Sequence, residues 1–292
     1  MKVGMTLPIM EPGLNADMLE KWSRTVDEGP YSSLAFGERM AFDNPDTIAL
    51  LGATAAWTKR VRLVTTIIIA QLHDPVMLAK ALATADMLSK GRLSVGLGLG
   101  GREEDYRAAG ADLATKTNAE VARRALIMKR VWAGEKVVET IEPVGPPPVQ
   151  KGGPELLAGA QGPKSTRLAA TWADGISGFT FDLNMQAQKE SFDLARSVFK
   201  EEGRPAPRLA TAFWFAIGDN ARPQVQKHLR HYMNWIDKAA LEAMLPTVGF
   251  AGTAAELKEV LKRIADLGAD ETVLIPTSDD IDQVKRAADI IG

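Results

Sequence analysis

The chain of 292 residues contains no cysteine. That excludes disulfides, thiolate nucleophiles and cysteine-bound metals, while leaving the redox compartment undecided. Charge of one sign is also lacking. The 35 Lys and Arg residues nearly balance 37 Asp and Glu, and a net −2 gives no basic surplus for nucleic acid or an anionic membrane. No apolar run nears the roughly 18 residues of a membrane span. The opening MKVGMTLPIM is short and broken at Pro8, too early for a signal peptide. Histidine is scarce, and His228 and His231, at helical i, i+3 spacing, have no matched carboxylate. That pattern suits a solvated face better than a metal site, so no metal is expected. Ser/His/Asp arrangements, paired glycosidase carboxylates and a P-loop are missing, which argues against a hydrolase. What is present, 46% hydrophobic residues and 25% charged, is the composition of a globular chain with a sizeable core. The plain expectation is a cytoplasmic protein.

Strand-like and helix-like stretches take turns along the chain. Strands are predicted at 2–7, 32–38, 61–69, 92–100, 154–160, 174–179, 208–218 and 271–277. Helices are predicted between and after them, at 15–29, 44–58, 74–91, 118–133, 163–173, 183–203, 221–243, 253–267 and 280–291. Residues 61–69, VRLVTTIII, are β-branched and nearly continuous, as a strand buried on both faces requires. Asp74, Pro75 and Gly91 supply the N-cap, first-turn proline and terminator of one helix. Strand–helix alternation implies a parallel sheet, and eight units in this length predict a (β/α)8 TIM barrel. No linker marks a boundary, so 1–292 reads as one domain, with the Pro/Gly-rich stretch near 135–153 as an inserted loop.

The run VGLGLGG fits G-x-G-x-x-G at Gly96, Gly98 and Gly101. A dinucleotide fingerprint sits on the first strand of its unit, with an acidic residue ending a second strand about 20 positions on. Here the run is the fourth strand, and the chain around Glu120 reads as a helix. Alternation sets Val95, Leu97 and Leu99 against Gly96, Gly98 and Gly100, so the bulky set faces the outer helices and the glycines face inward. Two readings stay open: tight packing inside the barrel, or space for a ligand.

Reacting groups belong at strand C-termini in such a barrel. Glu38 and Arg39 end the second strand and are the candidate catalytic pair, able to hold a substrate or to close a salt bridge across the mouth. Gly162 and Pro163 open a helix whose free N–H groups, with Lys164, Ser165 and Thr166, suit an anion such as a phosphate. Trp214 and Phe215 include one inward residue, an aromatic wall. His73, just before Asp74–Pro75, takes a structural role.

The block HDPVMLAKALATADMLSKG followed by RLSVGLGLG, and the later GPKSTRLAATWADGI (162–176), resemble the bacterial luciferase-like monooxygenase superfamily. The resemblance covers most of the chain and is weaker after Phe181. It implies a barrel that binds FMN or the deazaflavin coenzyme F420 at the strand C-termini, in oxidoreductases that are commonly homodimers or larger. It also implies a non-prolyl cis peptide at Thr66–Ile67. Carried over by position, cofactor binding falls to Thr65, Thr66 and Ile67, to Gly98, Leu99 and Gly100, and to Ala160, Gln161, Gly162, Pro163 and Lys164. The compact F420-dependent branch is nearer, with Lys151, Lys164 and Arg167 as partners for the coenzyme's anionic tail. One departure is Glu38–Arg39, where sugar dehydrogenases of that branch carry Asp-His. Hydride transfer between F420 and a small organic molecule is therefore the expectation. The alternatives are an FMN-dependent monooxygenase and a flavin-binding barrel without turnover. Specificity is expected in loops 39–46, 101–117 and 135–153.

Overall fold

A computed structural model describes residues 1–139, 142–160 and 162–291. Its strands are β1 (Lys2–Thr6), β2 (Ser33–Phe36), β3 (Arg62–Ile69), β4 (Leu93–Gly98), β5 (Glu155–Ala158), β6 (Gly175–Ser177), β7 (Arg208–Ile217), β8 (Phe250–Gly252) and β9 (Glu271–Pro276). Parallel pairing runs in chain order from β1 to β7, then from β7 to β9, and β9 returns to β1. Eight strands thus close a parallel ring with helices outside it: a TIM barrel, as the alternation predicted. β3 and β4 are adjacent and parallel, with a register shift between Thr65 and Ile68.

Two local predictions fail. The ninth strand, β8, pairs with Phe215–Ile217 of β7 outside the ring, and its three residues are too short to show a period. The predicted helix 221–243 is two helices, Ala221–Tyr232 and Lys238–Met244. Asp237 ends the continuity by capping the second, accepting from the Ala239 and Ala240 amides at 3.0 Å.

Capping fixes several other helix starts as well. Asp74 accepts from Val76 and Met77, ahead of Pro75 in the first turn, and Thr253 with Glu256 forms a reciprocal capping box. The main core lies between ring and helices, where Val95 and Leu97 of β4 are fully buried. Buried tryptophans keep their polar ends satisfied there. Trp132 donates to Ala79 O and Trp22 to Thr6 O, at 2.9 and 3.0 Å.

The N-terminal floor of the ring is polar instead. Arg62, Glu155 and Arg208 are the first residues of β3, β5 and β7, alternate strands whose side chains share a layer. Glu271 of β9 joins them, where Gly4 of β1 offers no side chain and a Cβ would overlap the Ser33 hydroxyl. Around the ring the charges alternate. Arg208 bridges Glu155 and Glu271, and Arg62 stands 4.0 Å from Glu155. Burial alone would lower the Arg208 pKa, but the two carboxylates outweigh it and hold it above its ordinary value.

Candidate functional site

At the opposite, C-terminal end of the strands lies a cavity of about 910 Å³. Its lining joins most of the ring: Thr6 and Leu7 at the end of β1, Phe36 to Glu38 at the end of β2, Thr66, Ile67 and Ile69 of β3, and Ile275 of β9. The segment Gly98–Gly101 and the residues Gly159 and Gly162–Ser165 form one side. Phe179, Phe181, Trp214, Tyr232, Met233 and Trp235 form another, largely aromatic side. Of the β7 pair it is Trp214 that faces in, packed edge-on against Phe179 with ring centroids 4.6 Å apart.

Most of the residues named from sequence come together here. Glu38, Thr66, Ile67, Gly98, Leu99, Gly100, Gly162, Pro163 and Lys164 all line the cavity. Three others do not. Thr65 turns away and stitches β3 to β4, its hydroxyl donating to Gly96 O at 3.1 Å and accepting from Gly96 N at 2.9 Å. Ala160 faces a small void of about 10 Å³ beside Ser165 and Leu168. Arg39 is buried beside Asp105, outside the lining. Gln161 lies outside the described residues.

The Thr66–Ile67 peptide is cis, at the position the resemblance implied. Next to it, the inward glycines answer to both readings. The direction a Cβ would take at Gly98 and at Gly159 is occupied by the Ile67 side chain at 3.1 Å, and at Gly96 by Ile67 and the Thr65 carbonyl. Those three are packing glycines. At Gly101 and Gly162 a Cβ would meet nothing within 4 Å, and both line the cavity. Gly100 has φ +65°, which an L side chain rarely adopts. The result is a wall of bare backbone running from β4 to the start of the helix Pro163–Ala169. At that start the Ser165 and Thr166 hydroxyls turn back to Gly162 O at 2.9 Å, while Lys164 stays exposed.

Glu38 and Arg39 do not act on one another. One Glu38 oxygen accepts from Ile69 N and the other meets His73 Nε2, both at 2.7 Å, so the carboxylate ties the end of β2 to the end of β3. Arg39 meets Asp105 at 3.2 Å and stacks on Phe42 at 4.5 Å. Its pKa is lowered by burial first and then by the like charge of Arg102, against the pull of Asp105. The expected salt bridge across the mouth is therefore replaced by two separate pairs. His228 is also not on a solvated face: it is buried, pairs with Glu11 and stacks on Tyr232 at 5.7 Å. Glu11 lies 217 residues away in sequence, out of reach of any local pattern.

Sequence reasoning missed Arg102, Tyr232 and Trp235. Arg102 is 7% exposed and its guanidinium stands 4.8 Å from the Tyr232 and the Trp235 rings. Its place inside loop 101–117, just past the glycines, was the only available signal. Tyr106 fixes the same loop by donating to Leu99 O at 2.8 Å, and burial pushes its pKa up to about 12.

The residues fit a tricyclic, phosphate-bearing cofactor. The volume is in the range of ligand sites, about 300–1,000 Å³, and bare backbone at Gly101 and Gly162 leaves room for close approach.

Comparisons with known proteins bear on the family and the fold. Residues 1–278 match the family model described as luciferase-like monooxygenase. An uncharacterized protein of Mycobacterium tuberculosis is 35% identical over 162 residues, 53% of this chain and 56% of its own length. The F420-dependent glucose-6-phosphate dehydrogenase of Beutenbergia cavernae is 32% identical over 147 residues, 45% of this chain and 41% of that one. The chain thus spans about half the length of the curated relatives it matches. Among solved structures, a monooxygenase from Streptomyces bottropensis superposes with TM-score 0.80 at 21% identity, covering 99% of this chain and 97% of that one. An F420-dependent secondary alcohol dehydrogenase with a bound F420–acetone adduct gives 0.78 at 16%, covering 100% and 99%. The FMN complex of the oxygenating constituent of a diketocamphane monooxygenase from Pseudomonas putida gives 0.71 at 17%, covering 100% and 96%. These likenesses establish the fold, and the family match extends from the first residue through β9. The chain belongs to the luciferase-like monooxygenase family.

Proposed function

We propose that this protein is an oxidoreductase in which coenzyme F420 exchanges a hydride with a small organic substrate. The observation that carries the reading is the two-sided cavity, bare backbone on the β4–β5 side and aromatic rings on the β7 side. The cis peptide and Ile67 form the floor beside the glycines, where a flat ring system would rest. Lys164 and the helix start behind Gly162 would hold its phosphate. When bound, the deazaflavin supplies a two-electron hydride carrier. The chain's own contribution is to orient the substrate against that face and to exclude water with Phe179, Phe181 and Trp214. Glu38, with both oxygens engaged, holds the β2 and β3 termini in register.

The relative and the structural neighbour named for F420 favour that coenzyme. A specific observation favours FMN as the second reading. Arg167, expected to meet the F420 tail, is exposed and paired with Glu201 at 3.0 Å, and Lys151 is exposed outside the lining. Of the three expected cations, Lys164 alone lines the cavity.

The test is a side-by-side titration of purified protein with F420 and FMN at matched ionic strength, repeated for Lys164→Ala. Tighter F420 binding is expected, weakened about two- to fivefold in the variant, as befits an exposed cation. FMN binding with no measurable F420 affinity would move the protein to the flavin-dependent side of the family. Substrate-dependent reduction of the bound coenzyme then separates an enzyme from a binding protein without turnover.

The same reading includes a homodimer. Met77 is 73% exposed and Leu88 51% on the helix Pro75–Leu88, and Leu126 is 45% exposed on the adjoining helix Asn118–Trp132. Such apolar exposure on neighbouring helices suits self-association. Sedimentation equilibrium giving twice the 31.5 kDa chain mass is the expected result.

A further inference from the structure

The mouth of the barrel holds a charge that hydride transfer does not use. Arg102 is more than nine-tenths buried and lines the cavity, yet among the described residues its side chain has no hydrogen bond and no ion pair. The two flanking rings, Tyr232 and Trp235, attract the guanidinium through their faces but offer no acceptor to its Nε–H, which is left unsatisfied. An unpaired buried charge is costly, and such groups are ordinarily paired.

Asp105, Glu38 and Glu11 are already engaged. Asp105 gives Oδ1 to the amides of Met40 and Ala41, at 2.9 and 2.7 Å, and Oδ2 to Arg39 at 3.2 Å. Glu38 is held by Ile69 N and His73, and Glu11 by His228. Arg39 and Arg102 lie close enough to repel, with Asp105 as the carboxylate of that group, so the cluster carries one surplus positive charge. Around it the wall is apolar, with Phe179, Phe181, Trp214 and Met233.

We propose that the substrate is an organic acid, an apolar body bearing one carboxylate that binds Arg102. One surplus charge matches a monoanion, and the planar guanidinium fork matches a carboxylate. Arg102 belongs to the aromatic side of the cavity through its contacts with Tyr232 and Trp235, so it serves the substrate and not the coenzyme's phosphate. The proposal rests on the cavity being the site of the oxidoreductase described above, and Arg102 is its specificity-determining residue.

Trp214 and Trp235 line the cavity, so their fluorescence reports binding directly. The purified protein, without and with F420, is titrated with butanoate, octanoate and phenylacetate and with the matching neutral amides. At least one acid binds roughly tenfold or more tightly than its amide, the scale of one charge-assisted hydrogen bond. Arg102→Gln removes that preference without lowering the melting temperature, since it takes away an unpaired buried charge. Arg102→Lys retains part of it, and both leave F420 affinity unchanged. The proposal is overturned if no acid outbinds its amide, or if the preference survives Arg102→Gln. It is equally overturned if Arg102→Gln weakens F420 binding instead, because the anion would then be the coenzyme's. The acid–amide comparison is read without coenzyme, so a failure of coenzyme binding is a separate result that bears on the oxidoreductase reading.

Discussion

Replacing Arg208 by methionine tests the charge-alternating floor of the barrel. The new side chain is of similar length and apolar, so the layer stays filled while the cation between Glu155 and Glu271 is lost. Glu271 is 2% exposed in its side chain and keeps hydrogen bonds from Ser32 and Ser33, but no positive charge touches it. Removing one member of a buried pair costs about 3–5 kcal/mol. Glu155, with a side chain 25% exposed and Arg62 at 4.0 Å, is partly relieved, which puts the expectation near the lower end, about 3 kcal/mol. Unfolding entropy of about 2.1 cal/mol/K per residue gives roughly 0.6 kcal/mol/K for a chain of this length. The melting temperature should therefore fall by about 5 °C, measured by circular dichroism or calorimetry. Adding Glu271→Gln removes the uncompensated charge and should recover more than half of the loss. A single variant that melts within about 1 °C of the parent, or a double variant no better than the single, would refute the reasoning.

Four further outcomes follow from the same geometry. Gly96→Ala drives a Cβ into the Thr65 carbonyl and should unfold or strongly destabilise the barrel. Gly101→Ala enters open space, and its melting temperature should stay within about 1 °C of the parent. Glu38→Ala leaves the Ile69 amide and His73 without their acceptor and should cost about 1–3 kcal/mol in denaturant unfolding; an unchanged midpoint would show that water replaces the carboxylate. Burial raises the Tyr106 pKa from 10.0 to about 12, with the Arg124 charge opposing. The folded state then holds a proton that the unfolded state has released. Its contribution is full below pH about 10 and is lost as pH rises toward about 12, a window that ultraviolet titration of the phenols can follow.

The fold was legible because it repeats one local pattern. Most ring strands carry a β-branched or alternating run, and most long helices a side-chain cap, so the barrel could be counted from short windows. β8 was not legible, since three residues paired with the far end of β7 leave no period. The cavity residues on β3, β4 and the helix after β5 were legible because glycine and a Gly-Pro helix start are signals in themselves. Arg39 was misplaced for the opposite reason. Its position at a strand end is a local fact, but its partner Asp105 comes from another loop and turns it out of the cavity. The same holds for His228 with Glu11, and for Arg102 between Tyr232 and Trp235, pairings that exist only once distant segments meet.

Ile67 bears on how this barrel tolerates change. Its side chain is a close neighbour, at 3.1–3.2 Å, of the Cβ direction at Gly96, Gly98 and Gly159. These four positions on three segments are one mutational unit. A scan of single substitutions would meet Ile67 at each glycine and would count that one cause as separate ones at Gly98 and Gly159. In the background of Ile67→Ala, Gly98 and Gly159 should accept alanine, because the obstacle there is that one side chain. Gly96 should still refuse it, since the Thr65 carbonyl remains. Variation in a family built on this floor is therefore epistatic: the isoleucine must shrink before the glycines can grow.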